Sequence, residues 1–508
     1  MFDLSLDAAA KTFPRKIALR FAGTTYSYSD LDALSQRLSA ALSRLGIQGG
    51  DRVAFLLPNG LEIVLCYYAC FKIGAVAVPL NIRFGPELLR HVIEHSEARM
   101  LVSDPELFLR IEKIRSALPR VEHYYLTAGH SEFAGVAGFP ELLTETPTTR
   151  ELPVRDENNP AAIYYTSGTT GLPKAVVHTH GSLRQAIKSQ TQEIGISSDD
   201  ITVIMFPVCY LIGFGSQILP FHNCGATCVL LPRFEPQVAL EAIQTYQATK
   251  IYGFPQLYND LVTCPEAGQY NLRSLNFCFS AGEAIPVAIQ ERFRQIFGLE
   301  ITEGCGMTEL QIYSMNPPYG RKRIGSIGRP IADMEMSLID DRGSPITTAG
   351  KIGEMIVRGG SMTAGYWRNP ELTAQNIRKG WFHTGDLASK DEDDFYWFVS
   401  RKSEIIRHQA GLVSPVEVEG ALYRHSRVRE AGVVGVPDRS GYQQVWAFVV
   451  LRMDQAPVSE QELMDFTQTH LKEHKVPSKI IFREELPHGP TGKIDRKTLR
   501  EHAIGYQI

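Results

Sequence analysis

The 508-residue sequence has no surplus of either charge: 52 lysines and arginines face 56 aspartates and glutamates, a formal charge of −4. That balance excludes a broad basic face for nucleic acid and leaves only local patches such as Arg321-Lys322-Arg323. Long apolar runs are missing as well. The longest, Ile63 to Leu80, is split by Lys72 and Gly74, which predicts a buried helix running into a buried strand rather than a membrane span. The N-terminus has neither a basic n-region nor an apolar h-region, so no secretory signal is expected. The eight cysteines include no C-x-x-C. Cys66/Cys70 and Cys224/Cys228 are C-x-x-x-C pairs in apolar surroundings, read as buried thiols in a reducing compartment and hence a cytoplasmic protein. Internal repeats and low-complexity segments are also lacking.

What remains is ordinary globular composition, 44% apolar and 21% charged, long enough for about three folding units at ~150 residues each. Leu31, Leu34, Leu38, Leu42 and Leu45 recur at helical spacing, predicting a helix over Thr25 to Leu45 with Ser29 as N-cap and Gly46 as its stop. Beta-rich runs alternate with helical patterns to about residue 320, the texture of stacked α/β layers. From Gly325 to Phe398 short strands with frequent Gly and Asp turns predict a β-rich subdomain. A break near Ser400 opens a compact α+β tail. It is read as a helix from Pro415, strands Ala431–Val436 and Val445–Leu451, and a helix from Ser459 with a capping box to Glu462. The division is therefore a large domain over 1–400 and a small one over 401–508.

The most informative segment is Thr166-Ser167-Gly168-Thr169-Thr170-Gly171-Leu172-Pro173-Lys174, flanked by the strand-like Ala161–Tyr165 and Ala175–Thr179. Two glycines allow tight turns that present N–H groups, hydroxyls add donors and Lys174 adds a positive charge, the parts needed to hold a polyphosphate. Neither the spacing nor the strand that follows fits a Walker A loop. His178 and His180 form an H-x-H, but two ligands on one strand are not a metal site. His180 is placed to shape the phosphate loop.

With these residues the sequence resembles the adenylate-forming superfamily of acyl-CoA synthetases, peptide-synthetase adenylation domains and firefly luciferases. The resemblance runs over nearly the whole chain, because further motifs follow in order: Gly304-Cys305-Gly306-Met307-Thr308-Glu309, Gly325-Ser326-Ile327-Gly328-Arg329-Pro330, Gly365-Tyr366-Trp367, Trp381 to Asp386, Arg401 to Gly411, and Pro490-Thr491-Gly492-Lys493. It implies a large multi-layer α/β domain and a small mobile C-terminal domain. It also implies the roles that follow. Asp386 accepts the ribose hydroxyls of ATP, and Arg401, at the hinge, reaches ribose or phosphate. Ala281-Gly282-Glu283, after Ser280, forms the adenine-binding turn. Thr308 reaches the α-phosphate, Glu309 ligates Mg²⁺, and Lys493 delivers its ammonium to the charge developing at the α-phosphate.

The implied chemistry is a two-step acyl activation. A carboxylate attacks the α-phosphate of Mg·ATP, releasing pyrophosphate, and the thiol of CoA then displaces AMP. Lys493 faces the site in the first step and Ala410-Gly411, the thiol channel, in the second. The sequence departs from the family at Cys305, usually aromatic, at Ala175 and Ala410, usually Gly, and at Ser403, usually Asp or Lys. Tyr210, Gly215, Phe254 and Gly306 are the residues expected at the acyl pocket. Tyr210 offers no charge for an α-amino group, and Gly306 stands where acetate-selective relatives carry Trp. A medium-chain, branched or aryl acid is therefore favoured. The competing readings are a ligase that loads a carrier protein's phosphopantetheine, a luciferase-type oxygenase, and a nucleotide-binding module without catalysis. Joint retention of Lys174, Glu309, Asp386, Arg401 and Lys493 opposes the last. Monomer and homodimer stay equally open.

Overall fold

The computed structural model describes residues 3–129, 132–146, 156–166, 172–452, 458–489 and 493–506. Its centre is the helix Leu61–Ile73, in which eleven consecutive residues from Ile63 are buried. A helix apolar on every side has no solvent face to present, so it is sandwiched between layers. It ends at Gly74, whose φ of +73° gives the left-handed cap that a glycine adopts at no steric cost. Its one charged interior residue, Lys72, is neutralised by Asp7 and by Asp32 at 2.7 Å. The following strand Val76–Pro79 is fully buried, as the apolar run predicts. No described helix is long and apolar enough to cross a membrane.

Two large sheets flank this core. In the first, strands Ile301–Met307, Phe277–Ser280, Lys250–Gly253, Ile201–Ile204, Thr227–Leu230 and Ile17–Phe21 run parallel, with antiparallel edges at either side. In the second, Pro160–Thr166, Val76–Pro79, Arg52–Leu56, Met100–Ser103 and His123–Leu126 run parallel, and Lys174–Thr179 and Gly365–Tyr366 add an antiparallel edge. A third, antiparallel sheet spans Met334 to Arg401 and is the β-rich part expected from composition. Beyond it lie a hairpin, Ile406–His408 with Gly411–Val413, and a three-stranded sheet of Val428–Pro437, Gln443–Leu451 and Lys479–Arg483.

Two local expectations change. The helix predicted from Thr25 begins at Tyr28, because Thr24–Ser27 is a strand paired with Ile17–Phe21. Its cap is Ser27, whose hydroxyl accepts the Asp30 N–H in a reciprocal capping box, so Ser29 lies inside the helix. At Ser459 one half of the expected capping box forms, the hydroxyl accepting the Glu462 N–H at 3.1 Å, without a return bond from the Glu462 side chain among the described residues.

Candidate active site

The glycine- and hydroxyl-rich segment joins two antiparallel strands, Pro160–Thr166 and Lys174–Thr179, with Thr166 opposite Lys174. Ser167, Gly168, Thr169, Thr170 and Gly171 lie outside the described residues. At the hairpin's base, strand Gly365–Tyr366 pairs with Val176 and Val177 and so brings Tyr366 beside Lys174, whose Nζ stands 5.9 Å from the ring centre. The Tyr366 hydroxyl donates to Glu309 Oε1 at 2.8 Å, and the Thr363 N–H donates to the Glu309 carbonyl at 2.7 Å. Glu309 is buried in the turn between strands Ile301–Met307 and Gln311–Met315.

The adjoining Thr308 is fixed by a residue that sequence reasoning had not placed. His178 Nε2 lies 2.6 Å from the Thr308 carbonyl. A carbonyl only accepts, so that nitrogen carries the proton and Nδ1 accepts from Ser182 Oγ at 3.1 Å. Burial pushes His178 down to about 4, which keeps it neutral in this tautomer. His222, equally buried, is likewise pushed down to about 4. A histidine neutral in the fold and protonated when unfolded stabilises the fold above its unfolded value near 6.5, and this stability is lost as pH falls toward 4. Acidification from pH 6.5 to 4 is therefore expected to lower the Tm, and His178→Gln is expected to remove roughly half of the two histidines' share. A Tm profile identical in wild type and variant would contradict this.

Asp386 sits at the far side of the same cleft. It lies inside the strand Trp381–Lys390, which continues through Gly385 and bulges between Leu387 and Ala388. Its Cα partner across the sheet is Arg401, whose Nε lies 2.9 Å from Asp386 Oδ1. The contact lacks the direction of a hydrogen bond, and Oδ1 has no hydrogen-bond partner among the described residues. Burial raises this carboxyl to about 6 against the pull of Arg401 and Lys493. A buried carboxylate ion-paired on one oxygen still has lone pairs for a ligand that brings hydroxyl donors.

Cys305, between these groups, accepts the Tyr313 hydroxyl at 3.0 Å, and burial raises its thiol to about 11. The sulfur at the position usually held by an aromatic is thus protonated and backed by a tyrosine from the neighbouring strand.

The C-terminal segment closes the cleft. Lys493 Nζ donates to the Gly282 carbonyl at 2.6 Å. Gly282 has φ +93°, and a Cβ there would stand 2.7 Å from the Phe254 ring and 3.8 Å from Lys493 Nζ, so only glycine fits this crossing. Ala281 is buried beside it. Glu283 faces the small domain, where its charge acts on His488 and on the Arg496–Glu419 pair, bonded at 2.9 and 2.7 Å. Ala410 and Gly411 form the exposed tip of the hairpin over Ile406–Val413, with Gly411 at φ +137°.

The sequence matches the AMP-binding enzyme family over residues 6–367 and the AMP-binding enzyme C-terminal domain over 417–493. The chain belongs to this family. Among curated relatives, the long-chain-fatty-acid–CoA ligase of Bacillus subtilis is 31% identical over 97% of this chain and 93% of its own length. Feruloyl-CoA synthase of an Amycolatopsis species is 32% identical over 97% and 96%. Among solved structures, the anthranilate CoA ligase AuaEII in complex with anthranoyl-AMP superposes with a TM-score of 0.92 at 29% identity, covering 100% of this chain and 98% of that one. The large α/β domain with several sheets and the small C-terminal domain are thus those of the AMP-binding adenylate-forming fold.

Of the residues expected at the acyl pocket, Phe254 adjoins the Gly282–Lys493 contact, and Gly215 and Gly306 both approach Gln311. Phe254 meets Phe206 edge-on at 4.6 Å and covers Gly282. Tyr210 is half-buried; burial pushes its hydroxyl up, while Arg83 and a hydrogen bond to Asn81 pull it down. Gly215 lies in a π-helical turn, Phe214–Ile218, against Leu211. Gly306 has a reason beyond open space, since a Cβ there would come 2.8 Å from the Gln311 carbonyl where the strands bulge.

Proposed function

We propose that this AMP-binding enzyme activates a medium-chain, branched or aryl carboxylic acid. It is an AMP-forming acid–CoA ligase that works through an acyl adenylate, with ATP and CoA as its co-substrates. The observation that best supports the site assignment is the convergence of Lys493 on the Gly282 carbonyl with the Asp386–Arg401 pair and the Glu309–Tyr366 bond in one cleft.

In the first half-reaction a carboxylate oxygen bonds to the α-phosphorus and the bond to the pyrophosphate oxygen breaks. Asp386 holds the ribose, Lys174 and the hydroxyl-bearing hairpin hold the phosphates, and Thr308, fixed by His178, faces the α-phosphate. Lys493 lays its charge where the α-phosphate gains negative charge. Glu309, a hard oxygen donor steadied by Tyr366, suits Mg²⁺, which when bound neutralises phosphate charge. In the second half-reaction the CoA sulfur bonds to the acyl carbon, AMP leaves with the bonding electrons and the thiol proton passes to solvent. Ala410 and Gly411, exposed while Lys493 is inside, are the segment that replaces it for this step.

The absence of a charge on Tyr210 supports a neutral acyl group, and Phe206 and Phe254 give the cleft aromatic walls. An acid panel tests the substrate class by pyrophosphate release in the presence of CoA. Highest kcat/KM with a medium-chain, branched or aryl acid is expected. A maximum with acetate or an amino acid would overturn it.

A further inference from the structure

The loop that carries Lys493 is closed at its base by groups that the reaction itself does not use. His488 pairs with Ile494 in an antiparallel bridge. The Gly489 N–H donates to the Lys493 carbonyl at 2.8 Å, and the Asp495 N–H donates to the Pro487 carbonyl at 2.8 Å. His488 and Lys493 therefore stand on the two arms of one narrow loop, and whatever holds the His488 side chain also holds the backbone from which Lys493 projects.

Each arm is tied to its own carboxylate. Arg496, three residues past Lys493 and at the start of the helix Arg496–Gly505, is bonded to the buried Glu419. On the other arm His488 Nε2 donates to Glu430 Oε1 at 2.7 Å, and Glu430, on the strand Val428–Pro437, is buried. The two ties differ in kind, because a guanidinium stays charged at every working pH whereas an imidazole titrates. The bond to Glu430, with a further bond to the Leu486 backbone, raises His488 above its ordinary value of 6.5. The charge of Glu283 acts in the same direction from the large domain, one residue past the Gly282 carbonyl that receives Lys493.

The remaining groups of this cluster are settled before His488 titrates. Asp260, on the helix Pro255–Thr263, feels Glu430 and Arg429 and is raised by burial to about 6, so it is ionised above pH 7. Burial pushes the Tyr423 hydroxyl up, and it stays neutral.

We propose that His488 is a positioning residue for adenylate formation: its imidazolium, held by Glu430 and attracted by Glu283, sets the base of the loop so that the Lys493 ammonium reaches the cleft. It acts through Lys493 and not on the substrates. The proposal rests on the adenylation role of Lys493 and deepens it by naming what places that lysine. A histidine raised in the fold keeps its ion pair below about pH 6.5 and loses it as pH rises through the raised value.

Single-turnover rates of the two half-reactions test this between pH 6.5 and 9, with the best acid of the panel. One is adenylate formation from acid and Mg·ATP; the other is acyl-CoA formation from preformed adenylate. His488→Gln is expected to slow the first by about tenfold or more at pH 6.5, the scale of a misplaced catalytic group, and to leave the second within about twofold of wild type. The wild-type-to-variant ratio, in which the ionisation of acid, ATP and Lys493 cancels, is expected to fall toward one by pH 9. His488→Arg, whose charge does not titrate, is expected to keep adenylation at pH 6.5 and to exceed wild type at pH 9.

The proposal is overturned if the ratio for His488→Gln is independent of pH, or if both half-reactions slow equally, as a merely structural role would have it. It is overturned equally if His488→Arg is as slow as His488→Gln at every pH. Lys493→Ala in the same assay separates this from failure of the underlying reading. Adenylation lost in that variant but untouched in His488→Gln defeats the positioning role alone, whereas adenylation retained in Lys493→Ala defeats both.

Discussion

Lys493→Ala is expected to lower the rate of adenylate formation by two orders of magnitude or more while leaving ATP binding largely intact. The ammonium is bonded to the Gly282 carbonyl in the cleft, and its charge is felt by Asp386 and Cys305. A group acting on charge that develops only in the transition state contributes to kcat rather than to ground-state binding, typically ~3–4 kcal/mol for a well-placed donor. The second half-reaction separates this role from a structural one. Supplied with preformed acyl adenylate, the variant is expected to make acyl-CoA at close to the wild-type rate, because the role proposed for Lys493 ends with adenylate formation. Equal losses in both half-reactions would point instead to a domain that no longer docks.

Asp386→Ala carries the second large effect. In the proposed role, two ribose hydroxyls donate to this buried carboxylate, and such charge-assisted hydrogen bonds contribute about 1.5–3 kcal/mol each. Their loss is expected to reduce kcat/KM for ATP by about two to four orders of magnitude. Part of that effect is pH-dependent in wild type. Burial raises Asp386 to about 6, so its carboxylate form, the better acceptor, is lost as pH falls through that value. The KM for ATP is expected to rise below about pH 6 in wild type and to lose this component in the variant, compared at matched ATP ionisation. A variant with an unchanged KM for ATP would contradict the ribose role.

These groups were legible in the sequence because short motifs carry them: Thr384-Gly385-Asp386, the Arg401 segment, Thr308-Glu309 and the terminal Gly492-Lys493. Their surroundings were less so. Thr-Gly-Asp reads locally as a turn, but the Thr384 hydroxyl bonds the Met355 carbonyl at 2.6 Å and pairing with Tyr396–Arg401 carries the strand onward. Gly385, at φ +70°, marks a bulge within the strand, where the register against Gly353–Gly359 shifts. Thr25 to Leu45 reads as one helix because β-branched residues at its start also suit a strand, and only pairing with Ile17–Phe21 decides between them. Glu309 could be read as a helix start, whereas two antiparallel strands enclose it.

The supporting residues left no local signal. His178 acts on Thr308 across 130 residues, and Tyr366 acts on Glu309 across 57. As an H-x-H, His178 invites a metal reading, and no cluster of three metal-ligating side chains occurs among the described residues.

The measurement that tests the account most directly is the fate of an isotopic label. The best acid of the panel, labelled with ¹⁸O in its carboxyl group, is incubated with Mg·ATP and CoA, and the products are weighed by mass spectrometry. Attack of the carboxylate on the α-phosphorus, followed by thiol displacement, leaves one carboxyl oxygen on AMP. The account predicts equal amounts of singly ¹⁸O-labelled AMP, unlabelled pyrophosphate and acyl-CoA. ADP with labelled inorganic phosphate would place the attack at the γ-phosphorus and contradict it. Labelled acyl adenylate that persists in the presence of CoA would contradict CoA as the acceptor.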